Sequence, residues 1–315
     1  MYWMRLYAAA FFFLIQAEEI LVNKKIITAG NNFHGRTIAI VGFSSEDQYR
    51  EGFGPFPAGF RQIPFGDAEA LRKAITPHTC AFLVEPIQGE AGILMPPAGY
   101  LREVAKICRE NNVLLILDEI QSGLGRTGKL FAYMHEDIVP NAVIIGKALS
   151  GGFYPVSAVL SSADVLGVFR PGDHGSTFGG NPLACAIARA ALRVIVDEKL
   201  PERSAELGDY ALNYLRNLNS PYIVDIRGKG LWIGIELNKA ARPFCEALKE
   251  RGVLCKETHE SVIRLAPPLV ISKEDLDLGL TEIGKVLEER SFGTVIKRSA
   301  QVEAAITPPA AASAL

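Results

Sequence analysis

The sequence predicts an α/β protein in which a large domain, built on a mostly parallel sheet covered by helices, precedes a smaller C-terminal α+β domain. Three observations predict it. Short, continuously apolar runs recur between residues 25 and 160, amphipathic helical patterns separate them, and the pattern changes character near residue 200. A strand apolar on both faces has to be covered on both, as parallel sheets in α/β layers are.

Lys25–Ala29 reads as the first strand, followed by Ala81–Val84, Val113–Leu117, Ala142–Ile145 and Val156–Leu160. Between two of these, Pro97–Asn111 carries Tyr100, Leu101, Val104, Ile107 and Cys108 at helical spacing. A long helical pattern from Pro182 to Lys199 closes this region, so the large domain is placed at 25–199. Beyond it, Ala205–Leu218 reads as a helix, Gly230–Leu237 as a strand containing Trp232, and Arg242–Arg251 as a helix stopped by Gly252. Strands at Val253–Lys256 and Val262–Leu265 follow, then a helix from Ser272 to Glu289 with Ser272 as its N-cap. These elements place the small domain at 200–290. No internal repeat is visible.

Both ends depart from this pattern. Residues 6–15 form an apolar run behind Arg5, too short to span a bilayer, where about 20 residues are needed. Three readings of residues 1–24 stand open: a buried element of the fold, a targeting segment, or a truncated or mis-assembled start, the last being favoured. Residues 291–315 are rich in Ala and Pro without period and read as disordered. With 49% hydrophobic residues, 22% charged residues and a net charge of -2 over 315 residues, the chain suits a soluble intracellular enzyme better than a nucleic-acid-binding module. Its 5 cysteines, at 80, 108, 185, 245 and 255, lack CxxC spacing and read as reduced thiols, not as disulfide or zinc ligands.

Four stretches carry chemistry. The run Val113–Gln121 is a buried strand that ends in Asp118 and Glu119; an acid there either caps the next helix or faces a crevice as a functional charge. Lys147 follows the apolar run Ala142–Ile145 and Gly146, and precedes Ser150-Gly151-Gly152. Alone it could be an ordinary lysine bonding carbonyls or phosphate. Paired with Asp118 at the carboxyl ends of parallel strands, it suits pyridoxal phosphate, which needs an amine for its aldehyde and a carboxylate for its ring nitrogen. The segment Asp173–Pro182, rich in glycine and hydroxyls before a long helix, suits phosphate, though such a loop is a weak signal alone; His174 reads as structural. In Gly30–Thr37, Phe33 could stack on a flat ring and Arg36 bind a carboxylate, or the stretch could be a surface turn with Arg36 solvated.

Together these stretches resemble the class III, fold-type I pyridoxal-phosphate aminotransferases over residues 25–288. The most specific matches are Phe33-His34-Gly35-Arg36-Thr37, Val84-Glu85-Pro86-Ile87-Gln88-Gly89-Glu90-Ala91-Gly92, Asp118-Glu119-Ile120-Gln121-Ser122-Gly123 and Gly125-Arg126-Thr127-Gly128. The run Gly146–Ala158, with His174-Gly175-Ser176-Thr177 and Ile263–Leu269, is most similar to the ornithine branch of that family.

The resemblance implies roles residue by residue. Lys147 would carry pyridoxal phosphate through its amine and, once released, move the proton. Asp118 would bond the ring nitrogen and Gln121 the ring's phenolic oxygen, with Phe33 on one ring face and Ile120 on the other. Thr177, with Ser176, would contact the cofactor phosphate of a neighbouring subunit, which implies a homodimer with shared sites. Arg36 would position a substrate carboxylate. Arg264 would pair with Glu90 while ornithine binds and turn to 2-oxoglutarate in the second half reaction. The implied reaction moves the δ-amino group of ornithine to 2-oxoglutarate, giving glutamate 5-semialdehyde and glutamate, a step of ornithine catabolism and proline synthesis. N-acetylornithine and 4-aminobutyrate are the alternative donors.

The pattern departs from the family ahead of residue 25, where substrate-contacting tyrosines and a phosphate-gripping turn are expected and not found; the chain as written is therefore expected to be weakly active. A truncated, dimerising partner of an intact enzyme is the non-catalytic alternative. His34 stands where some relatives have tryptophan and is expected to tune packing beside the cofactor. The cytosol is the expected location, with the mitochondrial matrix as the alternative.

Overall fold

A computed structural model describes residues 25–289 of the chain. The readings of residues 1–24 and of the Ala/Pro-rich tail lie outside the described residues. The larger sheet holds β1 (Lys25–Ala29), β2 (Phe60–Ile63), β3 (Thr79–Val84), β4 (Leu114–Asp118), β5 (Ala142–Ile145) and β6 (Ala158–Ser161), in the order β2-β1-β3-β4-β5-β6. All neighbours are parallel except β5 and β6. The sheet is thus mostly parallel as expected, with one antiparallel edge.

The continuous apolar runs are explained by the two faces they serve. Phe82, Val84, Leu115 and Leu117 point to one face, packed under α1 (Ala68–Ala74) and α2 (Tyr100–Glu110). Ala81, Leu83, Ile116 and Ile144 point to the other, against Ala39, Ile40 and Phe43. Each fully buried side chain of this size contributes roughly 1.5–3 kcal/mol. Asp67 caps α1 by accepting from the Ala70 amide at 2.8 Å. The sequence pattern did not reveal β2, whose Arg61 and Gln62 are exposed at the sheet edge and break the apolar signal.

Two long helices, α3 (Pro182–Asp197) and α4 (Leu200–Arg216), lead to the second sheet, with order β7-β8-β10-β9. Its strands are β7 (Ile223–Gly228), β8 (Ile233–Leu237), β9 (Lys256–Thr258) and β10 (Val262–Leu265), all antiparallel. Ile233, Ile235, Leu237 and Ile263 form its inner face against α4, α5 (Arg242–Glu250) and α6 (Lys273–Glu288). Ser272 caps α6 by accepting from the Asp275 amide at 2.9 Å, as expected. Among the described residues, no helix is long and apolar enough to cross a membrane.

The second sheet meets the first across a contact made by glycine. A Cβ on Gly208 of α4 would stand 2.2 Å from the Gly230 carbonyl carbon, and one on Gly230 would stand 2.6 Å from that of Thr127. Ser204 Oγ donates to the Arg126 carbonyl at 2.9 Å and accepts from the Leu231 amide at 3.0 Å. Backbone lies on backbone here, so a methyl group has nowhere to go. Gly208→Ala is expected to cost about 3 kcal/mol through overpacking, seen as a lower thermal midpoint. Gly279→Ala, where α6 leaves open space, is expected to stabilise by about 0.5–1 kcal/mol on helix propensity alone.

Candidate active site

Asp118 ends β4, and Lys147 follows β5 after Gly146. The two strands are parallel neighbours with Asp118 opposite Ile144, so amine and carboxylate emerge side by side at the strand carboxyl ends. A Cβ on Gly146 would crowd Ser157 Cβ at 3.1 Å. Lys147 itself takes a left-handed φ of 44°, uncommon for a residue with a Cβ, and the turn is held by Ser150 Oγ donating to the Lys147 carbonyl at 3.0 Å.

A cavity of about 980 Å³ opens over this turn. Lys147, Ile120, Gln121, Glu90, Trp232 and Arg264 line it. Arg264 Nη1 donates to Glu90 Oε1 at 2.8 Å, and Gln121 Nε2 donates to the same oxygen at 3.4 Å. Gly89 makes room for the wall, since a Cβ there would stand 2.6 Å from Trp232 and 2.9 Å from Gln121.

Behind the cavity, Asp118 is buried and accepts from the Ile120 amide at 3.1 Å through Oδ1, while its Oδ2 lies 2.8 Å from Nδ1 of the buried His34. With Oδ2 as acceptor, the His34 proton sits on Nδ1. His34 is therefore a direct partner of Asp118 as well as a packing residue. Glu85 lies in the same cluster and accepts from the Phe33 amide at 3.3 Å. Burial, and then the Asp118 charge, push the Glu85 carboxyl well above its ordinary range. Burial also raises Glu90, but the hydrogen bond and charge of Arg264 outweigh it and hold Glu90 low. For Lys147, burial lowers the amine's pKa against the opposing pull of Asp118, Glu90 and Glu85.

The acidic pair at the end of β4 divides its work. Glu119 accepts from Ser122 Oγ at 2.6 Å and from the Ala132 and Tyr133 amides at 3.0 and 2.9 Å, tying down the following turn. Burial raises it to about 6 despite these donors. Asp118 is the acid that faces Lys147.

Other expected site residues lie apart from the lining. Arg36 is exposed and stacks over Tyr49 at 3.8 Å, with Phe33 edge-on to the same ring at 6.1 Å. Ser176 and Thr177 lie in an exposed segment, and His174 lies beside Phe169. Trp232 and Glu85 were not singled out from sequence. For Glu85 the available signal was a charged residue at the end of the apolar strand run Ala81–Val84.

The donor set fits pyridoxal phosphate: an amine of lowered pKa, a buried carboxylate on the adjacent strand, and an apolar side chain and an amide from Ile120 and Gln121 along the same wall. Sequence comparison points to the same class. The family described as aminotransferase class-III matches residues 8–287, and the chain belongs to it. The match takes in residues 8–24, which lie outside the described residues. The fold is that of the fold-type I pyridoxal-phosphate enzymes.

Within the family, the chain is 60% identical over 262 residues to an ornithine aminotransferase of Geobacillus sp. (strain WCH70), covering 83% of this chain and 66% of that protein. It thus spans just under two thirds of that relative. An ornithine aminotransferase structure from Toxoplasma gondii, with partial occupancy of PLP at its active site, superposes with a TM-score of 0.88 at 40% identity, covering 94% of this chain and 71% of that one. An acetylornithine aminotransferase from Elizabethkingia anophelis superposes with a TM-score of 0.77 at 42% identity, over 89% of this chain and 70% of that one.

The charges around Lys147 set opposite expectations for two variants. Only the neutral amine reacts with formaldehyde and cyanoborohydride. Asp118→Asn removes a charge that raises the Lys147 pKa, so reductive methylation of Lys147 is expected to set in at lower pH than in the parent chain. Arg264→Met removes a charge that lowers it, and the curve is expected to move to higher pH. Peptide mass analysis across a pH series reads both.

Proposed function

We propose that the chain is a pyridoxal-phosphate-dependent aminotransferase that takes the δ-amino group of L-ornithine and passes it to 2-oxoglutarate. The observation that carries this reading is the convergence on one cavity of Lys147 beside Asp118 and of an Arg264–Glu90 pair across from them. Bound there, pyridoxal phosphate supplies an electron sink for the carbon that bears the amino group.

The chain's own residues supply the rest. Lys147 Nζ would hold the cofactor and, once released, would take the proton from the donor's δ-carbon, a task helped by its lowered pKa. Asp118, whose Oδ2 is steadied by His34, would hold the cofactor's ring nitrogen. Ile120 and Gln121 line the cavity, where Ile120 would pack along the ring and Gln121 would donate to its oxygen substituent. Phe33 and Arg36 act from the rim beside Tyr49, where Arg36 positions a substrate carboxylate.

Glu90 makes one site serve two substrates. Paired with Arg264, it masks the cation from the α-carboxylate of ornithine, which would leave the δ-amine directed at the cofactor that Lys147 would hold. When the pair opens, Arg264 is freed for the dicarboxylate acceptor, and its planar fork matches a carboxylate. The products are glutamate 5-semialdehyde and glutamate, and we read the chain as a cytoplasmic enzyme of ornithine breakdown and proline synthesis.

A homodimer completes the site in this reading. Phe153, Phe178, Leu183 and Val196 are more than half exposed, and Phe178 and Leu183 follow Ser176 and Thr177 closely in the chain. A second copy covering that face would bring these hydroxyls to the cofactor phosphate of its neighbour. Leu183→Glu is then expected to shift the sedimentation profile toward monomer.

Turnover with 2-oxoglutarate decides the donor. L-ornithine is expected to exceed N-acetylornithine and 4-aminobutyrate, and equal or greater turnover of either competitor would overturn the assignment. Lys147→Ala is expected to reduce turnover by about 10²–10⁴-fold or more. Glu90→Gln leaves Arg264 uncompensated, and the ratio of α- to δ-amino transfer from ornithine is expected to rise about tenfold, the effect of about 1.4 kcal/mol, read by product analysis.

A further inference from the structure

Arg126 is a half-buried cation with no acidic partner among the described residues, and it lines the same cavity as Lys147 and Arg264. Burial alone pushes it down, to about 10, which leaves it charged at neutral pH. Its Nη1 donates to two backbone carbonyls, those of Leu231 at 2.8 Å and Pro267 at 2.6 Å. Leu231 immediately precedes Trp232 and β8, and Pro267 lies three residues after Arg264 at the exit of β10. Because β8 and β10 are antiparallel with Leu265 opposite Ile233, both carbonyls sit at the same end of the second sheet.

The loop that carries Arg126 follows β4 of the first sheet. Arg126 lies five residues after Gln121, in a loop whose Gly125 and Gly128 take left-handed φ values of 94° and 93°. Its own carbonyl accepts from Ser204 Oγ at 2.9 Å. A Cβ on Gly125 would press on Leu269 at 3.2 Å. One side chain thus joins the loop that follows Asp118 and Gln121 to the two chain segments that present Trp232 and Arg264.

We propose that Arg126 is a positioning residue for carboxylate recognition: by clasping the Leu231 and Pro267 carbonyls it sets how far the Arg264–Trp232 wall stands from Lys147. This rests on the reading of Arg264 as the receiver of the substrate carboxylate. The clasp calls for arginine because its planar, permanently charged group can hold two carbonyls in fixed directions, whereas the lysine ammonium is a rotating point charge.

Two readouts test it. Glutarate, a dicarboxylate without an amine or a keto group, reports carboxylate docking by titration calorimetry without turnover. In a Trp3→Phe background, Trp232 is the sole tryptophan and its emission reports the wall. Arg126→Gln is expected to weaken glutarate binding and raise the KM for 2-oxoglutarate about tenfold, a loss of the size that misplacement by less than 1 Å brings. Trp232 emission is expected to shift to the red, while single-turnover deamination of the donor and the pH curve of Lys147 methylation stay within about twofold. Arg126→Lys is expected to recover part of the glutarate affinity.

Unchanged glutarate binding and unchanged Trp232 emission in Arg126→Gln would overturn the proposal. So would a parallel loss of glutarate binding, donor deamination and thermal midpoint with no recovery in Arg126→Lys, since that pattern marks a general structural role. If Arg126→Gln does not fold, Arg126→Lys decides, and parent-like glutarate affinity and emission in it overturn the proposal. A parent chain that binds glutarate but does not use ornithine overturns the proposed function and leaves the clasp to be judged by these readouts.

Discussion

The hydrogen-bonded pairing of β4 with β5 is the constraint on which the rest of the site depends. It sets Asp118 opposite Ile144 and so delivers Lys147, three residues further on, to the same rim of the sheet. A slip of one residue would turn every side chain of a strand to the opposite face. Both faces of these strands are buried against different helices and loops, so the register is fixed by packing on two sides. The strained φ of Lys147 is tolerated because Gly146, Ser150 and Gly151 leave the turn little else to do.

The first sheet supplies one wall of the cavity and the second sheet the other. Gly230 and Gly234 let the two parts approach until backbone meets backbone, and Gly234 would carry a Cβ only 2.9 Å from the Gly92 carbonyl. The segment around Gly92 also presents Glu90, and Arg227 Nε donates to the Gly92 carbonyl at 3.0 Å. The Glu90–Arg264 pair is consequently held from both sheets.

Much of this was legible in the sequence because the relevant side chains lie at the ends of continuous apolar runs. Lys147 and Asp118 are the residues at which such runs stop, and the structure sets them side by side. Glu90 and Arg264, far apart in the chain, are joined at 2.8 Å, a pairing that only the resemblance could suggest. What composition and period could not show is contact at right angles to the chain. His34 against Asp118 joins residues 84 positions apart, and Arg126 reaches 141 positions to Pro267. The edge strand β2 was missed for a different reason, since its polar residues face solvent and leave no apolar signal. Strand β7 hid for another reason, since its apolar Val224 is exposed and its apolar residues do not strictly alternate with polar ones.

The charges around Lys147 explain why a buried amine can serve there at all. Three carboxyl groups, Asp118, Glu90 and Glu85, act on it, and if all were equally ionised they would hold the ammonium form and quench its reactivity. They are not equivalent. Glu85, buried beside Asp118, is driven toward its neutral form, and Glu90 is tied to Arg264, whose own charge opposes the ammonium. Asp118 is thereby left as the largest opposing influence on burial, which still prevails and keeps the amine's pKa low. Opening the Glu90–Arg264 pair would alter this balance, and under the proposed function the same two side chains would link carboxylate recognition to lysine reactivity.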